Sequence, residues 1–406
     1  MMKKYLIPAY YEKFQCIGSA CEDTCCAGWS VNVDKRTYIN YRKVKNPEMK
    51  QKLEKYVKRN RKNPSELNYA KIVLDENRSC HMLTEEGLCS IQLNLGSSYL
   101  CNTCALYPRI TKQVDDTLEK SLTLSCPEAA RLVLLNKDGI EFIEKEDNLN
   151  TRKVVQSKLN TAHQPYFWKL RIFTIQLLQN RNQSLEIRLI LLGLFLQKID
   201  SMTKDELETK IDTVIESYLS RLYNDDFIDS LQNLEGNTMF QLKLARELIL
   251  MRVSNFGISS SRYKAILTQI FNGLSLKNNQ SIVDSINKFE QTERQIYVPF
   301  MNQSSYMIEN YLVNYVFKNW FPIDYPTLFE SYQMLVLHFA IIKIHLIGVA
   351  ADENELTEEV VVKIVQQIVK AIEHNNEYIK TMHEKVNSSG YTTMGHMFSM
   401  IKTNNC

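Results

Sequence analysis

The sequence predicts a mainly α-helical protein with a small cysteine-rich, metal-binding N-terminal domain carrying short strands. Three observations predict it. Nine of the ten cysteines fall before residue 127. Short stretches of alternating apolar residues are confined to the same region. Beyond about residue 135 apolar residues recur at helical spacing, with few glycines and occasional prolines. Residues 1–135 are therefore expected to form a metal- or iron–sulfur-binding domain, and residues 136–406 an all-helical domain of about eight to ten helices.

Each element has its own justification. "WSVNVD" (29–34), "KIVLD" (71–75) and "SLTLS" (121–125) alternate with period two and are read as short strands. "NPEMKQKLEKYVKRNR" (46–61) puts Met49, Leu53, Tyr56 and Val57 on one helical face, with Pro47 suited to the first turn. Further on, "PYFWKLRIFTIQLLQN" (165–180), "TKDELETKIDTVIESYLSRLY" (203–223, capped by Thr203), "NTMFQLKLARELILMRVSN" (237–255), the stretch 304–321, "TLFESYQMLVLHFAIIKIHL" (327–346) and "TEEVVVKIVQQIVKAIEHN" (357–375) all carry helical periodicity. No fixed-period repeat marks a solenoid.

Composition narrows the function classes. The chain has 406 residues, 44% hydrophobic and 23% charged, as expected for a globular protein. A net charge of +3 points to neither a nucleic-acid nor a membrane partner. Residues 42–62 hold ten Lys/Arg against two acids, but with almost no aromatic interleaving they are read as a solvated helix face. "LILLGLFL" (189–196) is too short to span a bilayer, and "MLVLHFAIIKIHLIGVAA" (334–351) contains His338, Lys343 and His345, so both are expected to be buried core helices. The opening "MMKKYLIPAYYEKF" lacks the apolar core of a signal peptide, giving the expectation of a cytoplasmic protein.

In a reducing compartment, crowded cysteines read as metal ligands rather than disulfides. The candidates are Cys16, Cys21, Cys25, Cys26, Cys80, Cys89, Cys101, Cys104 and Cys126, spaced C-x4-C-x3-C-C, C-x8-C, C-x2-C and a final single residue. Four thiolates complete a zinc tetrahedron or a 4Fe–4S cluster. Adjacent Cys25 and Cys26 cannot point the same way, so the opening group is expected to supply part of a site completed by Cys80 to Cys126. Only Cys101/Cys104 has the C-x2-C spacing that zinc sites often pair, which favours iron–sulfur with zinc as the alternative. The plainer reading, buried structural thiols, suits one or two of nine. His81 is expected to be exposed or capping rather than a ligand.

The motif F-x-C…C-x-DTCC-x-GW-x-V-x-VD (Phe14 to Asp34) resembles the opening of the flagellin lysine-N-methylase family. "CHMLTEEGLCSIQLNLGSSYLCNTCALYPRI" (80–110), "LSCPEAARLVL" (124–134) and "ENYLVNYVFKNWFP" (309–322) are similar to later segments of that family. The first part also resembles the wider zinc- or iron-chelating cysteine-cluster family. The resemblance implies methyl transfer from S-adenosylmethionine to lysines of flagellin. The chain lacks a G-x-G cofactor loop, and Gly28 stands where a radical-type C-x3-C-x2-C triad needs a cysteine after Cys21 and Cys25. Arg109 is then the candidate to hold the donor carboxylate and Trp29 to stack on adenine or face the sulfonium, with Tyr107 beside them. The plainer readings are a structural ion pair and a core tryptophan. No catalytic residue is assigned. The rival functions are a non-enzymatic zinc- or iron-binding protein with a helical interaction scaffold, and an iron–sulfur redox protein.

Overall fold

The computed structural model describes residues 3–29, 31–76, 78–147, 154–156, 162–258, 260–276 and 281–403. Cys406 and Ser30, the second residue of the first expected strand, lie outside them. The chain forms two compact units: Met1–Leu132 with Phe142–Gln156 and Ser259–Ser261, and Val133–Glu141 with Ser157–Ile258 and Arg262–Cys406.

The first unit contains two sheets. Its strands are β1 (Lys3–Pro8), β2 (Asn32–Val33), β3 (Val57–Arg59), β4 (Ala70–Ile72), β5 (Arg109–Val114), β6 (Thr117–Leu122), β7 (Phe142–Asp147) and β8 (Val155–Gln156). A five-stranded sheet runs β7-β1-β6-β5-β8 and a three-stranded one β2-β4-β3. The expected strands at 29–34 and 71–75 thus appear as the shorter β2 and β4, and 121–125 overlaps only the last two residues of β6. In the β5–β6 hairpin, Lys112 faces Glu119, and their buried side chains form a 3.2 Å ion pair.

The basic helix is present as Pro47–Tyr56, with Asn46 accepting the Met49 N–H, Pro47 in the first turn, and Met49 and Leu53 buried. Its lysines at 50 and 55 face solvent. Together with the three-stranded sheet it encloses one small core of Val31, Val33, Tyr41, Met49, Leu53, Ala70 and Ile72, continued by Cys80 and Cys101.

The second unit is helical. Residues after 136 form thirteen α-helices among the described residues, more than the eight to ten expected, because short helices such as Asp225–Gln232 and Met394–Ile401 carry too few turns to show a clear period. The central element is Leu328–Glu353, closed at its start by a Thr327/Glu330 capping box. It is the one described helix long and apolar enough to cross a membrane, and 94% of its apolar window is buried in the protein, as expected of a core helix. Helices Leu185–Asp200, Thr238–Phe256, Ile282–Thr292, Glu358–Ile368 and Met394–Ile401 pack on it. Gly193 lets the Tyr332 ring lie directly on the neighbouring helix, where a Cβ would overlap it. Two π-helical turns, Glu293–Tyr297 and Val369–Glu373, interrupt the surrounding helices.

Candidate functional site

Backbone pairing brings the sequence-distant cysteines together. The Cys80 N–H donates to the Cys26 carbonyl at 2.7 Å, and Gly28 N–H to Arg78 O at 3.0 Å, so the opening cysteine stretch is stitched along residues 78–80. Asp34 caps the helix Lys35–Arg42 and also accepts the Asn102 N–H at 3.0 Å, while Thr103 Oγ1 donates to Asn32 O at 2.9 Å. Those bonds fasten the Cys101–Cys104 segment to β2. Cys80 and Cys101 are buried in the small core, with Cys26, Cys89 and Cys104 packed against it.

The nine free thiols sort into two groups by mutual electrostatics. Cys26 is raised first by a hydrogen bond with Cys25, then by burial and by the charges of Cys25, Cys80 and Cys89. Cys104 is raised well above the ordinary thiol value by its bond to Cys101, which is lowered by the same contact. Cys104 also feels Cys26 and Cys89, and Cys89, raised by burial, feels Cys25 and Cys101. Burial pushes Cys80 up to about 11, although its sulfur accepts the Met82 N–H at 3.5 Å. These six form the first group. The second comprises Cys16, Cys21 and Cys126, the last pushed up to about 11 by burial. Glu22 pairs with Arg131 at 2.6 Å and ties the Cys21 stretch to the helix that follows Cys126.

Three cysteines begin helices. Cys89 and Cys101 occupy the N-cap positions of Ser90–Leu95 and Asn102–Leu106, and Cys126 precedes Pro127–Leu134. First-turn amides of Ile91 and Gln92, of Thr103 and Cys104, and of Glu128 and Ala129 lower the respective thiols, at a geometry short of a full cap bond for the first two. Such amides favour the thiolate that a metal needs.

The donor set fits a soft metal or an iron–sulfur cluster, since thiolate is the ligand both prefer. Burial and neighbouring thiols favour the protonated form of most of them, and a cation would favour the thiolate. Among the described residues no three His, Cys, Asp or Glu side chains stand close enough to hold an ion as placed. The side chains come instead as the pairs Cys25–Cys26 and Cys101–Cys104, with Cys80 and Cys89 near them.

The remaining candidates are spread around the thiols. Trp29 Nε1 donates to Cys25 O at 2.8 Å, and its ring lies 5.7 Å from that of Tyr107. Tyr107, raised by burial and then by Cys126, feels Cys25 as well and so lies between the two thiol groups. Arg109 opens β5 with its guanidinium 4.8 Å over the Phe14 ring and Nη2 donating to Phe14 O at 3.3 Å. It also bonds the Tyr11 side chain, with its guanidinium 6.0 Å from that ring, so part of its donor capacity is engaged inside the unit. His81 stacks on Tyr56 at 3.8 Å, a packing role.

The helical unit has a cavity of about 510 Å³, within the range of small-molecule sites. Its wall includes Arg181, Glu186, Arg188, Tyr297, Tyr306 and Phe339. Glu309, behind it, accepts from both Arg181 and Arg188 at 2.8 Å. Glu186 accepts the Thr403 N–H at 3.1 Å, and burial raises its carboxyl against the opposing pull of Lys343 and Lys402.

Residues 171–400 match the family model described as the FliB lysine N-methylase C-terminal domain, more than half of the chain. The chain belongs to the lysine N-methylase family. It is 24% identical over 391 residues to a protein named "Lysine-N-methylase" from Salmonella typhimurium, covering 93% of this chain and 94% of that one. The same figures hold for the protein of that name from Salmonella choleraesuis. A "Flagellar biosynthetic protein FliU" from Salmonella muenchen is 32% identical over 139 residues, 34% of this chain and 82% of its own length. No solved structure matches the chain. As a lysine N-methylase it is an enzyme of protein-lysine methylation, which answers against the non-enzymatic and redox rivals.

The matched segment of this lysine N-methylase holds almost the whole cavity, a site that periodicity and motif reading missed. The signal available was modest: "RNQSLEIR" (181–188) places two arginines and a glutamate around the N-cap Ser184, just before a helix read only as apolar core.

Proposed function

We propose that this lysine N-methylase transfers methyl groups from S-adenosylmethionine to flagellin lysines in a cytoplasmic, reducing compartment, and that its first unit carries a cysteine-ligated centre, an iron–sulfur cluster of the 4Fe–4S type. The observation that carries the reading is the lysine N-methylase match over residues 171–400. The likeness to a protein named for flagellar biosynthesis supports flagellin as the substrate. The gathering of five thiols in and against one core, with Cys25 bonded to one of them, supports the centre, and the single C-x2-C spacing favours iron–sulfur over zinc.

The chemistry sets what the chain must do. A free lysine has a pKa near ~10.4, so at neutral pH roughly one in a few thousand carries the lone pair required. That nitrogen attacks the methyl carbon; the N–C bond forms as the C–S bond breaks, the sulfonium becomes a neutral thioether, and the nitrogen then sheds a proton. Excluding water around that amine would lower the cost of its neutral form. A bound centre would supply a cross-link among the segments that carry Cys25–Cys26, Cys80–Cys89 and Cys101–Cys104.

The test is anaerobic purification with iron, sulfide and zinc analysis, followed by incubation with flagellin and methyl-labelled S-adenosylmethionine. Label on flagellin lysines with iron and acid-labile sulfide in the protein is expected. No label with a reconstituted centre and cognate flagellin sinks the methylation reading. Zinc without sulfide overturns the cluster and leaves methylation standing.

A further inference from the structure

The cavity of the helical unit is lined by charges that the protein does not fully use. Glu309, buried to 1% exposure, is shared by two guanidiniums, Arg181 and Arg188. Arg188 is equally buried, and it donates through Nη1 alone, to Glu309 and to Leu178 O. Its Nε is buried without an acceptor, and among the described residues Nη2 has none either. Arg181 bonds Glu309 through Nε and Nη2 and Lys137 O through Nη1, leaving one N–H on each Nη, with its side chain 43% exposed. Two cations on one anion, with unused N–H groups at a cavity wall, form a seat for a carboxylate, which guanidinium binds through paired charge-assisted bonds.

The same cavity offers the opposite charge. Lys343 lies 2.8 Å from Glu293 but 3.9 Å from Glu186, so its ammonium is committed chiefly to the former. Lys402, the other nearby cation, donates to Gln232 O. Glu186 then accepts one ordinary bond, from Thr403 N–H at 3.1 Å, and a long one from its hydroxyl at 3.5 Å. A half-buried carboxylate with spare acceptor capacity is a seat for an ammonium. The lining of the same cavity also includes Tyr297, Tyr306, Phe339 and Met301.

We propose that this cavity binds the methyl donor by its α-amino-acid head, the carboxylate against Arg188 and Arg181 and the ammonium against Glu186, with the nucleoside along Tyr297, Tyr306 and Phe339. The inference rests on S-adenosylmethionine being the donor and moves its site away from Trp29, Tyr107 and Arg109.

Calorimetry on the full, anaerobically purified chain tests it with S-adenosylhomocysteine, which keeps the amino-acid head, and 5′-methylthioadenosine, which lacks it. Wild type should bind the first at least about tenfold more tightly. Glu186→Gln and Arg188→Gln should each weaken S-adenosylhomocysteine by about tenfold or more and leave 5′-methylthioadenosine unchanged. Arg109→Gln and Trp29→Phe should leave both unchanged. Since Arg188→Gln disturbs a buried ion network, the near-isosteric Glu186→Gln and the two-ligand comparison on unaltered protein decide the matter without it. Equal affinity of wild type for the two ligands overturns the inference, as does loss confined to Arg109→Gln and Trp29→Phe. If wild type binds and transfers label while the cavity variants bind like wild type, only the location fails. If it binds neither ligand and transfers no label, the donor reading itself fails.

Discussion

The two units bury ionisable groups in opposite ways. In the helical unit buried charges meet their opposites: Lys343 with Glu293, Lys318 with Glu373, Arg188 with Glu309. In the first unit Lys112–Glu119 follows that pattern, but the thiols do not. They crowd one another, and burial together with neighbouring thiols holds Cys26, Cys80, Cys89 and Cys104 above the ordinary range. Neutral, they pack as small hydrophobes. Deprotonated, they form a concentrated negative charge that only a cation can offset. The helical unit thus sets most of its buried charges against opposite ones, with spare capacity at the cavity wall around Arg188 and Glu186, whereas the thiols of the first unit mainly neighbour one another.

The sharpest way to break this contrast is to remove one thiol pair. Cys101→Ser with Cys104→Ser should abolish bound metal, because the pair supplies two donors and begins a helix held to β2 through Asp34 and Asn102. Metal binding is folding free energy in a small core, so the loss should amount to several kcal/mol in the first unit and little in the second. Metal analysis and hydrogen exchange resolved by peptide check both parts. Full metal content in the variant removes the pair from the ligand set, and equal loss of protection in both units removes the contrast.

A smaller effect should come from pH, and from the other unit. His338 and His345 are buried in the central helix, and burial lowers both to about 4. His338 Nδ1 meets Tyr311 OH at 2.9 Å, in turn bonded to Glu373, and His345 Nε2 meets Tyr263 OH at 3.1 Å. A folded value below the ordinary ~6.5 means the neutral ring is preferred in the fold. The stability each contributes is therefore complete above about pH 6.5 and is lost as pH falls towards 4, up to about 3 kcal/mol per ring. Denaturant unfolding monitored by helical circular dichroism from pH 7.5 to 4.5 should show that decline. His345→Gln should flatten it by about half. A chelator at pH 7.5 should leave this helical signal in place, and a pH-independent helical unit would show that the rings are accessible to protons in the fold.

What the sequence disclosed follows the range of the forces involved. The helix Pro47–Tyr56 was legible because Asn46, Pro47, Met49 and Leu53 act within one or two turns. The burial of Leu328–Glu353 was legible because nearly every residue is apolar. The five-stranded sheet was not, since β1 pairs with β6 and β7 more than 100 residues away, and "KKYLIP" has no strict alternation of its own. The cysteines announced their number and their chemistry, but their division into six and three depends on the Cys80–Cys26 and Asp34–Asn102 bonds. The cavity was hidden for the same reason. Arg188 looks like an ordinary first-turn residue until Glu309, 121 positions later, is placed beside it.

The smallest expected effect tests whether the aromatic lining of the thiol region is part of the centre or only packing. Trp29→Phe keeps a ring against Tyr107 and deletes the 2.8 Å bond from Nε1 to the Cys25 carbonyl. A single such bond contributes about 1 kcal/mol net, so thermal unfolding should shift by only a few degrees. Metal content should stay at the wild-type level, because the bond holds the Cys25 backbone and not its sulfur. A shift within that range, with metal retained, makes Trp29 a packing residue beside an independently held site. Loss of metal in this variant would mean that the Cys25 backbone position, and not the thiol set alone, determines whether the first unit is completed.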